Sequence, residues 1–413
     1  MEIVVKNSTD LQPEGAIDGF SGRSVGILYY LNLAFVVLLM LAFILYYVYY
    51  YFGINLSLIL FFLSMLGMVT VNAHFVSVRR FPLLITALLF LAHSTFLLMI
   101  WINNPSNEPI ELLKSYIFYF TAIITLVVVY YSPLIFSLRS AVAKAYDVIL
   151  LVSSIILIVQ MIAFLTRGIV IALPWQSLSP LFFRPSGLFG EPAHFGQFSA
   201  GLIMLSRHRF ETLIQNKWRF AVVLIAILMS FSAFGYVVIF FISLRYILTL
   251  KTMASAIFTA FSIILIALVF VFAAGNLPQF QRVNASFAGG GSSLDRINKG
   301  AVLFSSLPLS EKFIGVGLGM GERSLSYYSG THYSYFSSSE SYMNAFFSEL
   351  VNLGLVGAIL LNFFYVLLFI RSDDSLMKYV AFMTMRFGGA VTLTSVACML
   401  WLILLIVESG GDL

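Results

Sequence analysis

Charged side chains are scarce in this sequence. Asp, Glu, Lys and Arg together make up 10% of the 413 residues, hydrophobic residues make up 60%, and the mean hydropathy is +0.98. That balance excludes a water-soluble fold and points to an all-α integral membrane protein. Cysteine is nearly absent as well. Cys398 stands alone inside an apolar run, which excludes an internal disulfide and reads as packing. The sequence has no Cys/His set with zinc spacing and no Walker-type loop. Ser186, in Pro-Ser-Gly, lacks the elbow pattern of a serine hydrolase. Internal repeats and low-complexity tails are also missing. Neither a metal, a cofactor nor a nucleic-acid partner is expected.

Residues 1–24 are polar and mixed, with no apolar core before Gly26. The expectation is therefore that no signal peptide is cleaved and the first apolar run stays as a span. Runs long enough to cross a bilayer, about 20 residues, fall near 26–48, 54–75, 82–102, 115–137, 147–166, 193–207, 219–233, 235–250, 253–274, 342–370 and 387–407. These are about eleven transmembrane helices, within a range of ten to twelve. The chain reads as one polytopic domain, 1–413, with two large loops at 167–192 and 274–341.

The basic residues orient it. With the amino terminus inside, the inner segments hold Arg79, Arg80, Arg139, Lys144, Arg207, Arg209, Lys217, Arg219, Arg245, Lys251, Arg371, Lys378 and Arg386, and with Lys6 and Arg23 most of the 23 basic residues. Both large loops then face outward. The odd span count leaves the carboxyl-terminal end outside. The inner loops are too short for a nucleotide-sugar domain, so the chemistry is expected on the outer face.

The densest cluster of polar chemistry is Arg184-Pro185-Ser186-Gly187-Leu188-Phe189-Gly190-Glu191-Pro192-Ala193-His194-Phe195-Gly196-Gln197. Glu191-Pro192 predicts a helix start, since proline suits the first helical position and a carboxylate suits the positive end of the dipole. Glu191, His194 and Gln197 follow close to one face. The plain alternative is a capped helix end in an aqueous loop. In the second loop, Ser292 or Ser293 predicts a cap, with Asp295 in the first turn and a helix running to Leu307-Pro308. Arg296 and Lys299 lie on that helix. Gly315, Gly317, Gly319 and Gly321 predict a turn that lets backbone approach a ligand. The stretch 326–342 is rich in Ser and Tyr, with Tyr333, Tyr335, His332 and Glu340 among them. Such side chains suit a sugar face, and equally an interfacial aromatic belt.

The outer arginines Arg184, Arg296 and Arg282 match a diphosphate, because a guanidinium fork holds phosphate bidentately and keeps its charge. Each has the alternative of a headgroup contact. The candidate catalytic residues are Glu191, His194 and His332. Tyr333, Tyr335, Glu340 and Asn344 are candidates for sugar contacts, and Asn344 has the alternative of capping the tenth helix.

The pattern Arg184 through Pro192, followed by Phe195-Gly196, resembles the signature of bacterial O-antigen polymerases of the Wzy type. Ser293-Leu294-Asp295-Arg296, the glycines from Gly315, and Asn344 with Gly354 and Gly357 resemble the wider O-antigen ligase/polymerase superfamily. The resemblance covers about 180–360. It implies a membrane glycosyltransferase of the GT-C type in the bacterial inner membrane, with its active site facing the periplasm. Its substrates would be oligosaccharides on undecaprenyl diphosphate, the diphosphate held by arginines of the two loops. Membrane lipid and a chain-length regulator are the further partners to consider. Ligases of the superfamily carry a histidine where this chain has Met343, which favours polymerase over ligase. A ligase, a flippase for lipid-linked oligosaccharide and an inactive membrane subunit remain the alternatives.

Overall fold

The structure is a computed structural model and describes residues 22–45, 56–76, 81–102, 109–173, 176, 183–250, 252, 255, 292–319, 343–389 and 391–409. Among the described residues it is helical throughout, with no strand. Without water to satisfy backbone groups, apolar runs of this length close their hydrogen bonds within helices.

Among the described residues, six helices are long and apolar enough to cross a membrane. They are α1 (Gly22–Ile44), α2 (Leu56–Ala73), α3 (Pro82–Trp101), α4 (Pro109–Tyr131), α6 (Arg139–Arg167) and α14 (Ala345–Phe369). A five-residue turn of helix, α5 (Pro133–Ser137), links α4 to α6. Small polar side chains zip the first pair together, as expected where no hydrophobic force drives helix association. Ser64 and Ser57 of α2 donate to the carbonyls of Phe35 and Ala42 at 2.6 Å, and Asn32 and Asn72 exchange amide hydrogen bonds.

The remaining segments are shorter and broken. They are α7 (Pro192–Ser199), α8 (Gly201–Met204), α9 (Arg207–Gln215), α10 (Lys217–Met229), α11 (Ala233–Thr249), α12 (Ser292–Ser306), α13 (Leu309–Ile314), α15 (Ser375–Gly388) and α16 (Val396–Ser409). α9 and α10 are bent by 98° and make a seventh span if taken together. The runs expected at 193–207 and 235–250 are represented by α7–α8 and α11, and the run at 253–274 lies outside the described residues.

Short helices need outside partners for their terminal carbonyls. For α7 and α8 these are long side chains. Trp401 Nε1 donates to the carbonyl of Gln197 at 2.8 Å, and Tyr146 Oη to that of Phe198 at 2.7 Å. Arg245, expected in an inner loop, is instead 1% exposed on α11. Its guanidinium donates to the carbonyls of Leu202, Ile203 and Leu205 and lies 4.6 Å from the Phe210 ring.

The end of the chain departs from the sequence reading. Residues 375–409 hold two antiparallel helices where one span was expected. The amide of Ala345, at the start of α14, donates to Gly389 beyond the end of α15. Glu408, at the far end of α16, meets Arg139 at 3.1 Å and accepts from the Ser206 amide. α16 therefore ends at the basic end of the bundle, where Arg371 lies over Tyr130, and not at the end that carries the two large loops. The extra turn was hidden because α15 keeps Lys378 and Arg386, residues that read as loop but are 1% exposed here.

Candidate functional site

The segment before α7 lies along α6. Residues 183–191 fold back beside α6 as far as Ser153, midway along that 29-residue helix. Irregular backbone at such depth needs donors and acceptors from protein. Two glutamines and two serines supply them. Gln160 Oε1 accepts the amide of Gly187 at 3.0 Å, and Ser153 Oγ accepts that of Leu188 at 3.0 Å. Gln176 Nε2 donates to the carbonyls of Gly187 and Phe189, and Gln160 Nε2 donates to Gln176 Oε1. Ser186 Oγ closes the turn onto Phe189 at 2.7 Å. Gly187 has φ +65°, and a β-carbon there would lie 2.3 Å from Ser153 Oγ. Only glycine serves at this position.

This anchoring sets three of the sequence-predicted residues. Arg184 is half-buried, and its Nη1 faces the carbonyl of Phe231 at 3.5 Å. Phe231 itself has φ +48°, in the tight turn between α10 and α11. Glu191 is the N-cap residue of α7, with extended backbone and Pro192 at the first helical position. Its carboxylate makes no capping bond, so the side chain is held at the helix mouth without being tied to it. His194 sits one turn on, its ring edge-to-face with Phe43 of α1 at 6.0 Å. The helix carrying both is locked against α11 by glycines. A β-carbon on Gly196 would come within 3.0 Å of the Gly235 amide nitrogen.

Asn344 begins a different helix. It is fully buried as the N-cap of α14, its Oδ1 accepting from the Phe347 amide and its Nδ2 donating to the Phe387 carbonyl. Both ends of its amide are thus engaged by backbone. Arg296 falls in the first turns of α12, which runs as expected from Ser292, and its backbone alone is described. Arg282, His332, Tyr333, Tyr335 and Glu340 lie outside the described residues.

At Gly315 and Gly317 the glycine turn meets protein. α14 is broken at Gly354, where φ is 66° and ψ is −179°. The break frees carbonyls of the preceding turn. The amides of Val316 and Gly317 donate to Val351 and Asn352, and His93 Nε2 lies 2.9 Å from the carbonyl of Leu353. Trp101 Nε1 in turn donates to the Gly315 carbonyl at 3.2 Å.

Two features of this end were not singled out from the sequence. Glu349 of α14 and Arg386 of α15 form a buried ion pair, 4% and 1% exposed. The other Glu349 oxygen accepts the Leu393 amide at 2.9 Å, and the Arg386 guanidinium lies 4.6 Å from the Tyr365 ring. A lone carboxylate inside the apolar run 345–369 was the available signal. Beside the pair, α4, α14 and residues 392–394 enclose a cavity of about 230 Å³.

Neither a protein-family model nor a curated protein matches the chain.

Among the described residues no group of His, Cys, Asp and Glu is arranged to hold a metal ion. What the Arg184–His194 segment offers chemically is a cation, a carboxylate and an imidazole on a single anchored turn-and-helix. Such a set can pair an anion and move a proton.

Proposed function

We propose that this chain is a membrane glycosyltransferase that polymerises oligosaccharide repeat units carried on a lipid diphosphate. In this reading it has about eleven spans in a GT-C-like arrangement, lies in a bacterial inner membrane and works on the periplasmic face. The observation that carries the proposal is the turn anchored by Gln160 and Ser153, a single segment that carries Arg184 and runs into the helix start at Glu191 and His194. The order of the motifs across 184–196, 293–296 and 315–357 supports it.

Arg184, with Arg296 and Arg282, would neutralise the diphosphate of the growing chain. A paired diphosphate is a good leaving group, and fixed cations stabilise the charge that develops on it. A hydroxyl of the acceptor unit attacks the anomeric carbon, the bond to the diphosphate oxygen breaks, and a base takes the hydroxyl proton. Glu191 and His194 are the candidate bases, with His332 behind them. Holding both lipids at once supplies rate through positioning.

A ligase acting on a lipid core is the second reading, and Met343 at the superfamily's histidine position weighs against it. A flippase is the third. It is disfavoured because the cation, carboxylate and imidazole collect on one turn instead of lining a path between repeated halves. The deciding experiment gives purified protein in nanodiscs a single undecaprenyl-diphosphate-linked repeat unit. A ladder of products is expected. Product formed only when lipid core is added would replace polymerase with ligase, and transfer of intact donor across sealed vesicles without product would replace both with flippase.

A further inference from the structure

The cavity between α4, α14 and residues 392–394 has a composition unlike the arginine-bearing turn. Its lining offers Ser115, Tyr119, Ser348, Asn352, Thr392 and Thr394, and none of its lining residues is charged. Hydroxyls and amides both donate and accept, the repertoire that a ring of vicinal hydroxyls presents in return. Phe118 and Tyr119 add aromatic wall suited to the apolar face of such a ring. At about 230 Å³ the space holds one small ring, and Gly319 is among its lining residues. Among the described residues the ion pair beside the cavity, Glu349–Arg386, is closed on itself and buried.

The walls of the cavity are built by specific devices. The break of α14 at Gly354 is met by the 315–317 backbone, which fixes Asn352 through its carbonyl and leads into the lining residue Gly319. Glu349 accepts the Leu393 amide, which sets Thr392 and Thr394 on either side of the anchored residue, with their hydroxyls 3.3 Å apart. Asn352 Nδ2 donates to Ser348 Oγ at 3.3 Å along the same helix face.

We propose that this cavity binds one uncharged sugar ring. Its assignment as the seat of the acceptor's terminal residue rests on the glycosyl-transfer reading above, whereas the sugar site itself does not.

The test uses the full chain in nanodiscs and saturation-transfer NMR with free D-glucose, D-galactose, D-mannose and N-acetyl-D-glucosamine as probes. At least one neutral sugar is expected to receive saturation from the protein. Thr392→Val keeps the side-chain shape and removes one hydroxyl, so it should weaken that binding roughly threefold to tenfold. Ser115→Phe, which fills the space, should abolish it. No transfer to any of the four sugars, or transfer that survives both substitutions, overturns the proposal. Sugar binding by a protein that makes no polymer would sink the glycosyl-transfer reading and keep the site. Polymer made with full yield by both variants, in a protein that binds none of the sugars, would do the reverse.

Discussion

Gly315 and Gly354 meet backbone to backbone. A β-carbon on Gly315 would lie 2.4 Å from the Asn352 carbonyl oxygen, and one on Gly354 would lie 2.4 Å from that of Phe313. Their φ angles are +103° and +66°, with ψ of 162° and −179°. Side chains are excluded twice, by the torsions and by the contact. Alanine at either position is expected to destabilise the fold by at least the 1–3 kcal/mol of the torsional strain alone. Thermal unfolding of purified Gly315→Ala and Gly354→Ala checks this. Midpoints equal to wild type would mean that α14 is not broken here.

The Glu349–Arg386 pair should be far costlier to halve than to remove. Glu349→Gln leaves a buried guanidinium without its counter-charge, a loss of about 3–5 kcal/mol by analogy with other buried pairs. Replacing both partners with Leu and Met should recover much of that. Unfolding midpoints of Glu349→Leu, Arg386→Met and the double variant form the cycle, and additive losses would show that the pair is not coupled.

Arg184→Ala is expected to lower polymer yield by about a hundredfold or more, the scale of removing one preorganised charge contact. Arg184→Lys should also be poor, because an ammonium lacks the planar fork. Arg296→Ala is expected to behave likewise. Gel analysis of the polymer, with immunoblots for membrane level, measures this. Normal chain length in either alanine variant removes that arginine from the diphosphate site.

At the basic end, Asp373 sits in the turn between α14 and α15. Burial raises its carboxyl pKa, but the Lys378 ammonium, the Arg207 amide and Arg245 outweigh that and hold it below the usual carboxylate range. The folded form thus binds this proton less readily than the unfolded chain. The stabilisation is complete above the ordinary Asp range and is lost as pH falls through the depressed value. Unfolding midpoints should drop in acid, and Asp373→Asn should be less stable at neutral pH and flatter below it. Parallel pH curves for the two proteins would count against the turn as a contributor.

Much of the fold was legible because lipid forces a simple grammar. A long apolar run must be a helix, and α1, α2, α3, α4, α6 and α14 all came from such runs. The helix starts at Pro192 and Ser292 were also readable, since capping is local chemistry. The site was legible as a cluster of residue types around Arg184 and Glu191, but its depth was not. Nothing within 183–191 announces that Gln160 and Ser153, 20 to 40 residues upstream, stand ready to satisfy its backbone.

The sequence by itself determined the solvent of this protein, the helical class and which segments carry its few charges, because those follow from composition and from short-range hydrogen bonding. Tertiary structure alone decided what the charges do. Arg245 and Arg386 are basic residues near helix ends and look alike in the sequence, yet one caps the carbonyls of α8 and the other pairs with Glu349. It also decided that the last segment makes two short helices, that Asn344 serves as a cap, and that the glycines after Ile314 close onto a broken helix. The physical reason is common to all of these. A buried polar group must find a partner, and the partner lies tens to hundreds of residues away in the chain, a distance at which one sequence carries no local trace of the pairing.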